Sequence, residues 1–263
     1  MTDNGNTLST GIYHRPQMPP LPAAICVGTP AYRDELSGAF VDSLLRTQRA
    51  AHRLGLRVRC LRRDGSGMVD RARDEIAEEF LASRAEVLCF IDSDQGFTVR
   101  AALDAVRMAM QLDLVGIPVP IKAPSWSSVW DAAHRVDRAQ ADAILPQVLC
   151  PRRNLAYSAD APVSILEPLE VEHIGTGFVA IHRRVFERLG PTLPQIAADQ
   201  ARPFFMPGIF DGQRYGEDFS FCQRWRDVGG RCWALPWHNV AHIGTMVYRD
   251  AIEVRLALGL PLG

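Results

Sequence analysis

Along the first 120 residues, short apolar runs alternate with stretches of helical periodicity. Ala23-Ala24-Ile25-Cys26-Val27 is an apolar run ended by Gly28-Thr29-Pro30, which predicts a buried strand feeding a loop. From Asp34 to about Leu54, residues Leu36, Phe40, Val41, Leu44, Leu45 and Ala51 fall on one helical stripe, and Gly55 stops it. Leu56 to Leu61 alternates with the period of a strand. Met68 to Ser83 reads as a helix burying Ile76, Phe80 and nearby alanines. Glu86 to Ile91 is an apolar strand, Val99 to Leu112 a helix and Leu114 to Val119 a strand. Such alternation predicts an α/β fold of Rossmann-like type: a mostly parallel central sheet flanked by helices.

Beyond Pro120 the pattern loosens. Residues 121 to about 162 are polar and mixed, with Trp126 and Trp130 close together, and read as an inserted flap or small subdomain. Val163 to Leu189 is a second ordered stretch, and Gly190 to Tyr215 reads as a long loop. Glu217 to Val228 is expected to be helical, Arg231 to Leu235 a strand and Asp250 to Leu258 a closing helix. Residues 1–22, polar and then proline-rich, read as a flexible or extended leader. The expected organisation is one domain over 23–263, with one half at about 23–120 and another at about 163–250.

Composition changes this picture little. With 263 residues, 47% of them hydrophobic, the chain can bury one substantial core. Its 29 basic and 30 acidic residues leave a net charge of −1, so no whole-protein field draws in nucleic acid. Lys122 is the only lysine. Of six cysteines none makes a Cys-x-x-Cys pair; Cys26, Cys60 and Cys89 sit in apolar runs and read as core residues of a reduced compartment. No stretch is apolar for long enough to span a bilayer, and no signal pattern opens the chain, so a cytoplasmic location without a membrane partner is expected.

The chemistry gathers at Asp92-Ser93-Asp94. Asp-x-Asp alone is a common surface turn, but here a buried strand leads straight into it, which puts both carboxylates at the sheet's ligand crevice. Two hard oxygen donors there suit Mn2+ or Mg2+ bridging the two phosphates of a nucleotide-sugar. Glu217-Asp218 precedes a helix, where carboxylates also serve as caps. In the catalytic reading one of them, Asp218 first and Glu217 second, takes the proton from an acceptor hydroxyl. His242 would complete a metal shell begun by Asp94, with His238 a weaker competitor. Gly175-Thr176-Gly177-Phe178 allows a tight turn and close backbone approach to a ligand. Arg71 and Arg73 do not share a helix face, so one of them is expected to turn inward toward nucleotide or diphosphate.

In this order the motifs resemble those of GT-A-fold glycosyltransferases, and within them a phage-encoded group that includes the TET-associated DNA glycosyltransferases. The likeness covers most of residues 24 to 245. It rests on Thr29-Pro30-Ala31-Tyr32, Asp70-Arg71-Ala72-Arg73, Phe90-Ile91-Asp92-Ser93-Asp94-Gln95-Gly96-Phe97, Pro118-Val119-Pro120-Ile121-Lys122, Ile174-Gly175-Thr176-Gly177-Phe178, Gly216 to Trp225 and His242-Ile243-Gly244. The resemblance implies a nucleotide-diphosphate sugar donor, usually a uridine one, lying against Thr29, Pro30, Ala31 and Tyr32. Asp92 would reach ribose or metal, Asp94 and His242 the metal, Lys122 the donor or acceptor, and Glu217-Asp218 would face the acceptor. It also implies a 5-hydroxymethylpyrimidine in DNA as acceptor, and host cytoplasm as the location if the chain is phage-encoded. Arg62-Arg63 and Arg152-Arg153 would then be candidate phosphate contacts.

The chain departs from the group at Val119 and Ile121, where relatives often carry tyrosine and a second lysine, and in the Trp126-to-Pro162 insert. Protein or glycan acceptors and a non-catalytic nucleotide-sugar-binding module therefore stand as alternatives. A nucleotidyltransferase is disfavoured, because Gly28 to Tyr32 lacks a glycine-rich loop with a basic residue.

Overall fold

The structure, a computed structural model, describes residues 18–65, 67–150, 153–158, 164, 166–197 and 200–245. The expected leader up to residue 17, Arg152, the start of the stretch at Val163 and the expected closing helix from Asp250 lie outside the described residues.

The first half holds β1 (Ala24–Ala31), α1 (Gly38–Arg53), β2 (Arg57–Asp64), α2 (Val69–Leu81), β3 (Val87–Ile91), β4 (Gln95–Gly96), α3 (Val99–Leu112) and β5 (Leu114–Gly116). The flap carries α4 (Trp126–Ala133) and α5 (Ala141–Ile144). After it come β6 (Leu155–Ala156), β7 (Leu169–Val171), β8 (His173–Ile174), β9 (Phe178–His182) and α6 (Arg183–Leu189). The chain then forms β10 (Gly208–Phe210), β11 (Gln213–Tyr215), α7 (Glu217–Asp227), β12 (Cys232–Ala234) and β13 (Ala241–His242).

Seven strands form the central sheet in the order β2-β1-β3-β9-β5-β12-β7. Five run the same way; β9 and β7 oppose them. The fold is thus a mixed α/β one with a mostly parallel sheet. Period-two alternation sorts β3 between two cores: Val87, Cys89 and Ile91 pack with α1 and α3, while Leu88 and Phe90 pack with α2, α6 and α7. Burial on both faces explains why this strand reads as one continuous apolar run. No helix among the described residues is long and apolar enough to cross a membrane.

Several sequence expectations need correction. Strand β1 does not stop at Val27 but runs on to Ala31, still paired with β2 after its pairing with β3 ends at Gly28. A proline is tolerated at position 30 because one side of the strand is open there. Cys60 is exposed rather than core, since β2 is the sheet edge and carries charged side chains on both faces. The buried side of α1 is Phe40, Ser43, Thr47 and Ala51; Val41 and Leu45 face outward. The segment from Gly190 to Tyr215 is not all loop. It ends in the β10–β11 hairpin, whose turn residues Asp211 and Gly212 have φ of 50° and 75°. An Asp-Gly pair with two positive φ angles is the turn that matches strand twist. Finally, Met18 and Leu21 pack on the core and Arg107 Nη1 donates to the Pro19 carbonyl, which ties down the end of the leader.

Candidate active site

The topology brings the candidate residues to one edge of the sheet. Strand β3 ends at Ile91 and hands Asp92 to that edge. Because β9 pairs antiparallel with β3 (Ile91 opposite Phe178), the chain enters β9 where β3 leaves, so Gly175–Gly177 lies beside Asp92. The Asp92 N–H donates to the Gly177 carbonyl at 3.0 Å. A Cβ on Gly177 would stand 3.2 Å from Asp92 Oδ2, so glycine keeps the carboxylate clear. Strand β5 also ends here and delivers the loop to Lys122. Past β12, the chain returns as β13, which pairs with β4 and sets His242 opposite Gln95.

His242 Nε2 lies 3.2 Å from Asp94 Oδ2, and His242 Nδ1 lies 2.7 Å from the Pro120 carbonyl oxygen. A carbonyl only accepts, so Nδ1 carries the proton, and a neutral ring turns its Nε2 lone pair toward the carboxylate. Two lone pairs at that separation need positive charge between or beside them. Lys122 supplies some: its Nζ donates to Asp94 Oδ2 at 2.6 Å and to the Ile243 carbonyl at 3.0 Å. The Asp94 bond to His242 also raises the imidazole's proton affinity. Burial works against ionised Asp94, but His242 and Lys122 outweigh it and hold its carboxyl down at about 2. A carboxylate and an imidazole oriented by a backbone carbonyl fit a divalent cation that keeps its other positions for phosphate and water. Among the described residues no group of three or more His, Cys, Asp or Glu side chains is arranged to hold a metal.

Asp92 has a different partner. Arg73, only 3% exposed, donates from Nη2 to Asp92 Oδ1 at 3.0 Å, and its Nε lies 3.8 Å from Glu217 Oε1. Of the two arginines that the spacing sets apart, helix α2 turns Arg73 inward and Arg71 outward; Arg71 lines a separate groove with Asp70 and Met206. Burial, reinforced by the neighbouring Asp218, raises the Glu217 pKa despite Arg73. Glu217 and Asp218 open α7, and no side chain caps its Gly216 N-cap. Arg73 Nε and Nη1, Gln95 Oε1 and Thr176 Oγ1 are buried and make no hydrogen bond. Arg73 bonds Asp92, Gln95 Nε2 donates to Asp94, and Thr176 precedes the glycine whose carbonyl holds Asp92. Unpaired buried groups are few in native proteins, and their concentration beside Asp92 and Asp94 is what a polar ligand would relieve.

A cavity of about 250 Å3 lies against Asp92, Ser93 and Asp94, walled by Pro30, Ala31, Arg63, Val69 and Ala72. Thr29 is buried in β1 behind it; Tyr32 begins the following turn, and its side chain lies outside the described residues. A larger cavity, about 430 Å3, adjoins the other side of the His242–Lys122 pair and reaches the flap through Pro146, Leu149 and Cys150. His238 is not at the cation pair: it is buried against Asp104 at 3.0 Å.

One residue at this edge was not anticipated. Asn154 Nδ2 donates to Asp218 Oδ2 at 2.9 Å. The only hint in the sequence is the glycine at position 175, which signals a close approach without naming the residue that approaches.

No family model matches the sequence, and no curated protein is similar to it. Solved structures are. The chain is similar to GalNAc-T7 crystallised with UDP, GalNAc and Mn2+, with a TM-score of 0.50 at 16% identity, over 86% of this chain and 44% of that one. It is also similar to A197 from STIV, with a TM-score of 0.49 at 14% identity over 84% of this chain and 86% of that one. For S. aureus TarS 1–349 the TM-score is 0.37 at 12% identity, over 81% of this chain and 58% of that one. This chain therefore spans less than half of GalNAc-T7 and little more than half of the TarS fragment. The likeness is one of architecture: the fold is that of GT-A glycosyltransferases.

Proposed function

We propose that this protein is a glycosyltransferase that moves a sugar from a nucleotide-diphosphate donor, a UDP-sugar, to an acceptor hydroxyl. The observation that carries the reading is the meeting of Asp94 with His242, and of Asp92 with Arg73 and Glu217, at the edge where the parallel strands end. Ligands of open α/β sheets bind at that edge.

Asp94 and His242 would hold Mn2+ or Mg2+. When bound, the ion neutralises charge developing on the diphosphate leaving group. The protein's own groups do the rest. The cavity beside Pro30, Ala31 and Asp92 takes the nucleoside. Arg73 holds the Asp92 carboxylate in place and offers two further N–H donors toward the donor's oxygens. Lys122 sits within reach of the same oxygens once it leaves Asp94. Thr176, between Gly175 and Gly177, offers a hydroxyl to the donor sugar. Asp218 accepts the acceptor's proton, while Glu217, with its raised proton affinity, lies against Arg73.

For the acceptor we propose a 5-hydroxymethylpyrimidine in DNA. The motif resemblance supports it, as do the two flap tryptophans, each 67% exposed, which are flat faces on which extruded bases stack. Against it, Arg62 pairs with Asp64, and Arg63 with Glu75 and Glu79, so the charge of these arginines is already met by carboxylates. That neutrality favours a glycan or protein hydroxyl as the second reading. Mass spectrometry of UDP-sugars and Mn2+ with hydroxymethylated DNA, peptides and glycans tests both. Transfer to modified DNA supports the first, transfer to glycans or peptides alone the second, and no transfer from any donor removes the enzymatic reading.

A further inference from the structure

Asn154 is pinned from both sides by its backbone. Its N–H donates to the Val119 carbonyl at 3.0 Å, and its own carbonyl accepts from Gly175 N–H at 2.7 Å. The next residues form β6, paired antiparallel with β8 so that Leu155 faces Ile174. The residue thus sits where the flap rejoins the fold, on a backbone with little freedom to drift.

Its side chain uses that fixed base to reach across Gly175. A Cβ built at position 175 would fall 1.9 Å from Asn154 Nδ2 and 2.4 Å from its Cγ. Glycine at 175 is therefore the gap through which the amide passes. Beyond the gap, Nδ2 donates to Asp218 Oδ2 at 2.9 Å, while Asp218 Oδ1 accepts from the Phe219 N–H at 2.8 Å. Each carboxylate oxygen is held by one donor and keeps a second lone pair. Phe219 is fixed in turn by stacking on the buried His173, with ring centroids 4.8 Å apart. Asp218 is oriented from two directions by groups 64 residues apart and next door in the sequence.

We infer that Asn154 is a positioning residue for glycosyl transfer, fixing the plane of the Asp218 carboxylate so that a free lone pair meets the acceptor hydroxyl. The inference rests on the glycosyltransferase reading above. In the step itself, a bond forms from the acceptor oxygen to the anomeric carbon and the bond from that carbon to the diphosphate oxygen breaks. The hydroxyl proton goes to Asp218, and the electron pair of the broken bond leaves with the diphosphate. An amide suits this task because it donates without carrying charge. An apolar residue would leave Asp218 free to rotate, and a carboxylate would compete with it for the proton.

The test compares Asn154→Ala and Asn154→Asp with wild type. Steady-state transfer is measured across pH, and UDP binding with Mn2+ is measured by calorimetry. Asn154→Ala is expected to lower kcat by roughly 10- to 100-fold while UDP affinity stays within about twofold, because only orientation is lost. Asn154→Asp is expected to move the acid limb of kcat/KM to higher pH, because two facing carboxylates share a proton. This second variant keeps the inference testable should the alanine variant fold poorly. An unmoved acid limb, or a loss of UDP affinity with kcat retained, overturns the inference and leaves the enzyme reading intact. A wild type that transfers from no UDP-sugar but binds UDP removes the reading underneath, and the inference with it.

Discussion

Arg73 Nη2 lies 3.0 Å from Asp92 Oδ1, which joins the second turn of α2 to the tip of β3 through a guanidinium that water barely reaches. The cation is sandwiched between that carboxylate and the Phe90 ring, 5.5 Å from the ring centroid. Buried arginine needs such partners, since an unpaired charge there is costly.

Replacing Arg73 with Met is therefore expected to destabilise the fold. Asp92 would be left half-buried without its donor, at a cost of about 2 kcal/mol. Urea unfolding measures it, and the paired variant Arg73→Met with Asp92→Asn isolates the contact. If the pair matters as described, the double variant recovers part of the loss. Strict additivity of the two single effects would count against it.

Asp74, on the same helix, gives a pH dependence with a definite sign. Its Oδ1 accepts from Phe205 N–H at 2.8 Å, and burial raises its pKa from 3.8 to about 7. The folded state thus holds a proton that the unfolded state has released between those values. The stability this provides is full below pH 3.8 and is lost as pH rises through about 7. Asp74→Asn keeps the acceptor oxygen and removes the buried charge. It should raise unfolding free energy at pH 8 by roughly 2 kcal/mol and change it little at pH 4. Equal effects at both pH values would contradict the assignment.

If Asp94 holds a divalent ion as proposed, Lys122 competes with that ion for it. The ammonium bonds Oδ2 directly, and its stem lies where Gly244 leaves room, a Cβ there falling 2.6 Å from Lys122 Cδ. Lys122→Met should therefore tighten Mn2+ binding to the protein alone by roughly fivefold, the equivalent of a partly exposed ion pair of about 1 kcal/mol. Asp94→Ala and His242→Ala should weaken it. Calorimetry without nucleotide reads all three. Weaker binding in the Lys122 variant would mean that the ammonium supports the ion instead of displacing it.

The centre of the sheet was legible because strands such as β3 are buried on both faces. Val87 to Ile91 cannot be other than apolar, and the carboxylates that follow mark where it reaches solvent. The Asp-Gly turn of β10–β11 carried its own signal and was hidden only by the prolines around it. Asn154 is different in kind. A polar residue in a loop reveals nothing until pairing of β6 with β8 carries it over Gly175 to Asp218. That only one of Arg71 and Arg73 turns inward followed from helix spacing, but not which one, and the partner Glu217 lies across the fold and had no local signature.

Gly175 offers the sharpest check on that contact. Its φ lies outside the left-handed region, so alanine brings no backbone strain, and any effect comes from the methyl group alone. That methyl would overlap Asn154 Nδ2, Cγ and Cβ, at 1.9, 2.4 and 2.9 Å. The backbone of Asn154 is bonded on both sides and cannot retreat, so the side chain has to swing off Asp218. Gly175→Ala is expected to cost about 1–3 kcal/mol of stability, as overpacking does, and to lower turnover together with it. Gly38→Ala is the control: nothing lies within 4 Å of its added methyl, it opens α1, and it should be neutral or stabilising by up to about 1 kcal/mol. Urea midpoints and transfer rates for both variants decide the matter. A Gly175→Ala protein with wild-type midpoint and turnover would mean that the amide of Asn154 has another route past residue 175, and that its grip on Asp218 is not the fixed one seen here.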